Sequence, residues 1–197
     1  MCRLDSGERR FLLDVARRTI THGLAARELP QIQPPPGALS EPASAFVTLW
    51  RGKALRGCIG RLISHEPLAQ VVALAAISAA MHDPRFGAVR AEELCSLDIE
   101  ISVLSPFEDI AAADVRVGVH GLMIVRGPFR GLLLPQVALE YRWSATRFLE
   151  ETCVKAGLPR DAWRDSETQI SAFTAEVFAE RESAENKSGA DEIAAPQ

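Results

Sequence analysis

Leu97-Asp98-Ile99-Glu100-Ile101-Ser102-Val103-Leu104 alternates apolar and polar residues through its first seven positions. Successive side chains of a strand point to opposite faces, so Leu97, Ile99, Ile101 and Val103 form one face and Asp98, Glu100 and Ser102 the other. The spacing predicts a strand with a fully apolar side. If the polar side is solvated, Glu100 and Ser102 are ordinary surface residues. If helices cover it, Glu100 is a buried carboxylate that needs a cation, and Arg56 or Arg85 is the available type of partner.

Upstream, the apolar run from about Glu66 to Met81 reads as a buried helix with Pro67 in its first turn, ended by Asp83-Pro84 because a residue before proline avoids helical dihedrals. Ala45 to Trp50, a turn at Arg51-Gly52-Lys53, and Leu55 to Ile59 read as a hairpin. Asp5 and Glu8 form an acidic variant of the capping box for an amphipathic helix over 6–22, with Gly23 as its stop. Between these elements lie five prolines from Pro30 to Pro42, three of them consecutive, which favour an extended surface connector.

Downstream, Leu122 to Val125 and Gly131 to Leu134 predict a second hairpin around Gly127-Pro128, closed by Pro135. Ser144 caps a helix through Lys155 with Gly157 as its stop, and Ile170 to Ala179 reads as one last strand. Residues 1–180 are expected to form a single domain, followed over 181–197 by a disordered acidic tail poor in large apolar residues. The hairpins echo each other: Arg51-Gly52 and Arg56-Gly57 in the first, Arg126-Gly127 and Arg130-Gly131 in the second. Glycine at turns and arginine at strand edges explain this without duplication.

The 197 residues are 47% hydrophobic and 24% charged, an ordinary globular composition. Twenty-two Lys and Arg against 26 Asp and Glu give a net charge of −4, which argues against extended phosphate-backbone binding. Cys2, Cys58, Cys95 and Cys153 form no CxxC pair, so a reduced, cytoplasmic chain is the simplest expectation, with neither disulfide framework nor zinc knuckle. No export signal is expected, because Met1 to Arg10 alternates charge and polarity, and Leu68 to Met81 is too short to span a bilayer. GxSxG, Walker and dinucleotide-binding motifs are missing, and His65-Glu66 lacks the second histidine of a zinc protease. No metal site and no cofactor are expected.

The string Leu55-Arg56-Gly57-Cys58-Ile59-Gly60 stands out. In an extended chain Arg56 and Cys58 share a face; a cation beside a thiol lowers its pKa, and flanking glycines admit a ligand or another backbone. A small cysteine filling space at a bulge is the competing reading. Asp83-Pro84-Arg85-Phe86 is either turn punctuation or a rigid charged pair able to orient a substrate group. His120 and Gln136 lie near strand ends, where loops build sites.

Together, Phe46-Val47-Thr48-Leu49, Leu55 to Gly60, Asp83 to Phe86, Ile99 to Leu104, His120-Gly121-Leu122, Gly131 to Ala138, Trp143, Phe148 to Leu158 and Trp163 resemble one family, the AMMECR proteins, called AmmeMemoRadiSam system protein A in prokaryotes. The match runs over about residues 8–180, in order; it departs at Ala43-Ser44, where a basic residue and glycine often precede the first strand, and in the tail. The resemblance implies an α+β fold of antiparallel sheets flanked by helices, with two interwoven subdomains and the Leu55–Gly60 string near a cleft between them. It also implies genomic association with a Memo-type protein and a radical S-adenosylmethionine protein, although nothing in this chain could bind an iron-sulfur cluster by itself.

Given that resemblance, the leading expectation is an enzyme for a small anionic substrate. Cys58 would be nucleophile or redox thiol, Arg56 would lower its pKa or hold substrate charge, and His120 would be acid or base. Glu100 and Arg85 would form an orienting pair, Gln136 would supply a hydrogen bond, and Gly57, Gly60 and Asp83 would complete the binding surface. The alternative is a non-catalytic metabolite-binding or protein-interaction module in which the glycine–cysteine cluster serves packing. A third reading, RNA binding through Arg51, Lys53, Arg56 and Arg61, ranks last because one tyrosine and three tryptophans, mostly expected in the core, offer few stacking platforms.

Overall fold

A computed structural model describes residues 3–62 and 65–181. Cys2 and the expected tail beyond Arg181 lie outside the described residues. The chain forms α1 (Ser6–Leu24), β1 (Ser44–Arg51), β2 (Ala54–Arg61), α2 (Leu68–Met81), β3 (Leu97–Leu104), β4 (Glu108–Asp109), β5 (Gly121–Arg126), β6 (Phe129–Leu133), α3 (Pro135–Glu140), α4 (Ala145–Lys155), β7 (Gln169–Phe173) and β8 (Ala175–Ala179). Two antiparallel four-stranded sheets result, ordered β2-β1-β3-β8 and β4-β7-β5-β6. One compact unit takes in the chain up to Val103 and again from Glu176; the other is Leu104–Ala175.

In the first unit, Asp5 accepts from the Glu8 amide at 2.8 Å and Glu8 accepts from the Asp5 amide at 2.9 Å, which starts α1 where the sequence places it. Gly23 does not end the helix: α1 continues to Leu24, and a Cβ on Gly23 would sit 2.2 Å from Ile77 Cδ1, so this glycine admits α2. Alanines 69, 75, 76, 79 and 80 are buried along α2 and let it lie close on the sheet. Leu97, Ile99, Ile101 and Val103 join the same core, as the alternation requires. The polar side of β3 is not uniformly solvated, since Ser102 is fully buried. Arg17 on α1 pairs with Glu180, and Glu180 accepts from the Ile99 amide, tying the helix to the far side of the sheet. The proline connector is more than surface, for Leu39 within it is core.

In the second unit, Ser144 accepts from the Arg147 amide and starts α4, which packs through Phe148, Leu149 and Cys153. Two expectations change here. The stretch 170–179 is two strands, β7 in the second sheet and β8 in the first, separated at Thr174, whose amide and carbonyl bond Ser105. Pro135 also does more than close the hairpin: it opens the short helix α3, its lost amide costing nothing in a first turn.

Candidate functional site

The site builds up from an edge strand. β2 is the first strand of its sheet, and its register with β1 pairs Phe46 with Gly60, Thr48 with Cys58, Leu49 with Gly57 and Trp50 with Leu55. Arg56 is therefore the extra residue of a β-bulge, which interrupts the alternation that would have set it beside Cys58. Leu49 is fully buried, and a Cβ on its partner Gly57 would stand 2.2 Å from the Ala79 carbonyl oxygen, so Gly57 brings the strand against the backbone of α2. Gly60 makes room in another way: the Phe46 ring lies across it, 2.3 Å from where a Cβ would be.

The outward edge of β2 is sealed by the segment after α2. Asp83 is buried, and its Oδ2 accepts from the Cys58 amide at 2.8 Å. Arg85 donates to the Asp83 carboxylate from Nε at 3.0 Å and from Nη2 at 2.7 Å, and Nη2 also reaches the Cys58 carbonyl at 3.1 Å. Both backbone groups of Cys58 on the open edge are thus held by one ion pair. Hydrogen bonding from Arg85, aided by the Cys58 and Arg85 amides and opposed by burial, keeps the Asp83 carboxyl far below the usual carboxylate range.

Arg56 has a separate anchor. It forks onto Glu93 at 2.9 and 3.0 Å and donates to the carbonyls of Gly87 at 2.9 Å and Ala88 at 3.1 Å. Hydrogen bonding from Arg56, then the Arg90 amide, lowers Glu93 from 4.5 to about 2. Arg85 pairs with Asp83 of its own Asp-Pro turn, and Arg56 with Glu93, a carboxylate that the sequence reading did not single out as its partner. Glu100 stands half-buried on β3.

The Cys58 thiol is half-buried and free, and Thr48 Oγ1 donates to it at 3.3 Å. Arg85 is the cation beside it. Its guanidinium is pushed up chiefly by the bond to Asp83, and the Cys58 side chain adds a smaller push in the same direction. Cys95 is exposed; Cys153 is buried, and burial pushes its thiol up.

His120 and Gln136 belong to the Leu104–Ala175 unit, whereas Cys58, Arg56, Gly57, Gly60, Asp83, Arg85 and Glu100 belong to the other. Both ring nitrogens of His120 face donors of Arg116, its amide at 3.3 Å and Nη2 at 3.2 Å. Burial first, then Arg116, pushes the imidazole below its usual range, which favours the neutral ring at pH 7. Gln136 lies half-buried in the first turn of α3. Tyr141 is 65% exposed and stacks on Trp143 with centroids 5.0 Å apart.

Thr48 and Glu93 were not legible as site residues. Thr48 becomes visible only through the hairpin register, and Glu93 only as the distant carboxylate that a bulged arginine requires. Among the described residues, no group of three or more His, Cys, Asp or Glu is placed to hold a metal ion, and no helix is long and apolar enough to cross a membrane.

The AMMECR1 family profile matches residues 13–178. The chain belongs to this family. Among its relatives, a protein of Pyrococcus furiosus is 44% identical over 184 residues, covering 86% of this chain and 87% of its own length. A protein of Methanothermobacter thermautotrophicus is 44% identical, covering 90% of this chain and 96% of its own. The crystal structure of an uncharacterized protein from Pyrococcus horikoshii is similar with a TM-score of 0.79 and 42% identity, covering 86% of this chain and 90% of that one. Residues 55–60 and 83–86 of this AMMECR1-family chain fall inside the matched span.

Proposed function

We propose that this AMMECR1-family protein is an enzyme acting on a small anionic substrate, with Cys58 as its reacting group. The observation that carries the reading is the hold on Cys58: Asp83 and Arg85 grip its amide and carbonyl, while its half-buried thiol keeps Thr48 Oγ1 at 3.3 Å. A fixed backbone presents the sulfur in one position, and Arg85, itself 54% exposed, is the cation available to a thiolate or a substrate anion. Arg56 passes from that role to holding the edge segment. Neutral His120 as acid or base, Gln136 as a hydrogen-bonding group and Glu100 as an orienting carboxylate complete the proposal, together with a reducing cytoplasmic setting and partnership with Memo-type and radical S-adenosylmethionine proteins.

The test is native-state alkylation of each cysteine by iodoacetamide across pH, read by peptide mass spectrometry. Cys58 is expected to react faster than Cys95 despite its lower exposure, and Arg85→Gln to slow it several-fold at neutral pH. A Cys58 as inert as Cys153 would sink the reading.

A second reading has its own support. Asp83, Arg85, Arg56 and Glu93 neutralise one another, and Gly57 and Gly60 have packing roles, as a non-catalytic metabolite-binding or protein-interaction module requires. It predicts that Cys58→Ser leaves ligand or partner binding intact. RNA binding through the first hairpin gains nothing from the geometry, since Arg51 and Arg56 pair with Glu93 and Arg61 with Glu66.

A further inference from the structure

The proline connector, which no functional reading above uses, forms one wall of a cavity. Phe11, Val15 and Arg18 recur at helical spacing along one stripe of α1, and Pro30, Gln31, Ile32 and Gln33 lie opposite them. Between the two walls is a cavity of about 190 Å³. Phe11 and Ile32, partly buried against the core, give the lining an apolar portion, and the rest of the lining is polar to a similar extent. Proline restricts the backbone of the facing wall, so little conformational freedom remains to be lost when a ligand binds.

Arg18 is the cation of this cavity. Its partner is Asp14, one turn back at 3.4 Å, with both side chains 59% exposed. So exposed and loose a pair is weak, and the guanidinium can exchange it for a better acceptor. Its planar fork fits a carboxylate, and a single cation with Asp14 beside it disfavours a dianion such as phosphate. The volume sets the size of the rest of the ligand, since a cavity of about 150 Å³ holds a benzene-sized body, and Phe11, Val15 and Ile32 supply the apolar contacts.

We propose that the cavity between α1 and the proline connector binds a small monocarboxylate with a compact apolar body, an aryl or branched-alkyl acid. The body lies on Phe11, Val15 and Ile32, the carboxylate meets Arg18, and the Gln31 and Gln33 amides stand at the rim. This site is independent of Cys58.

Phenylacetate, neutral benzyl alcohol and cationic phenethylamine, titrated into the full chain to about 10 mM and followed by amide NMR, test it. Phenylacetate is expected to shift amides at 11–18 and 31–33 and to bind more tightly than the other two. Arg18→Gln should weaken phenylacetate about tenfold while leaving benzyl alcohol unchanged. Gln31→Glu, an exposed change that the fold tolerates, should also repel the acid. No shift, shifts elsewhere, equal binding of phenethylamine, or an Arg18→Gln chain that still binds phenylacetate at full strength would each overturn the proposal.

Discussion

The two hairpins share a plan and differ in one device. Each turns on a glycine in the left-handed region, Gly52 at φ 64° and Gly127 at φ 56°. Each has a glycine in its second strand against helix backbone: a Cβ on Gly57 would stand 2.2 Å from the Ala79 oxygen, and one on Gly131 2.3 Å from the Ala156 nitrogen. Both second strands, β2 and β6, are sheet edges. Next in line, however, β2 has Cys58 where β6 has Leu132, and only Cys58 has the Asp83–Arg85 clamp. Arg56 is locked onto Glu93, whereas Arg130, its counterpart in the echo, is exposed. Arginine and glycine are thus the shared architecture of a hairpin packed on a helix; the buried carboxylate and its arginine are particular to the first.

The largest effect should come from the shared part. Gly57→Ala and Gly131→Ala each force a methyl into backbone that cannot step aside, and each is expected to cost about 3 kcal/mol or more in urea unfolding. A silent Gly131→Ala would break the parallel between the hairpins.

Next comes the clamp. Asp83→Ala leaves the Cys58 amide without its acceptor and Arg85 without its carboxylate, with an expected loss of about 2–3 kcal/mol. Hydrogen exchange should show the Cys58 amide losing protection while Leu132 keeps its own. Arg130→Ala, the counterpart on the exposed edge, should change stability by less than about 0.5 kcal/mol.

A smaller effect than the loss of the clamp is pH-dependent. Glu93 is lowered from 4.5 to about 2 in the folded chain, so its contribution is complete above the unfolded value and disappears as pH falls through the folded one. Glu93→Gln should therefore lower stability by about 1–2 kcal/mol at pH 7, with its side chain only partly shielded from solvent. It should also flatten the acid limb between about pH 4.5 and 2 relative to the wild type. An unchanged acid limb would return Arg56 to the pool of cations available for a ligand.

Much of this was legible in the chain. The helix starts at Asp5 and Ser144, the hairpins and the faces of β3 are local matters of capping, turn chemistry and period, and each reading agrees with the structure. Arg56 was misread because a single bulge residue cancels the period-two rule on which its partnership with Cys58 rested. The stretch 170–179 was misread because residues with the same strand propensity serve two sheets, and the break at Thr174 is made by its bonds to Ser105. Gly23 looked like a helix stop because turn freedom and close approach leave the same mark in a sequence.

By itself, the sequence determined most of the elements and the family, since these depend on neighbours within a few positions or on strings retained in order. Only the tertiary structure decided which charge meets which. Asp83 reaches the Cys58 amide across 25 residues and Arg56 reaches Glu93 across 37. Such pairings depend on where a bulge turns a side chain and where a proline turn leaves a carboxylate, and no local pattern encodes the few ångströms over which a hydrogen bond is made or lost.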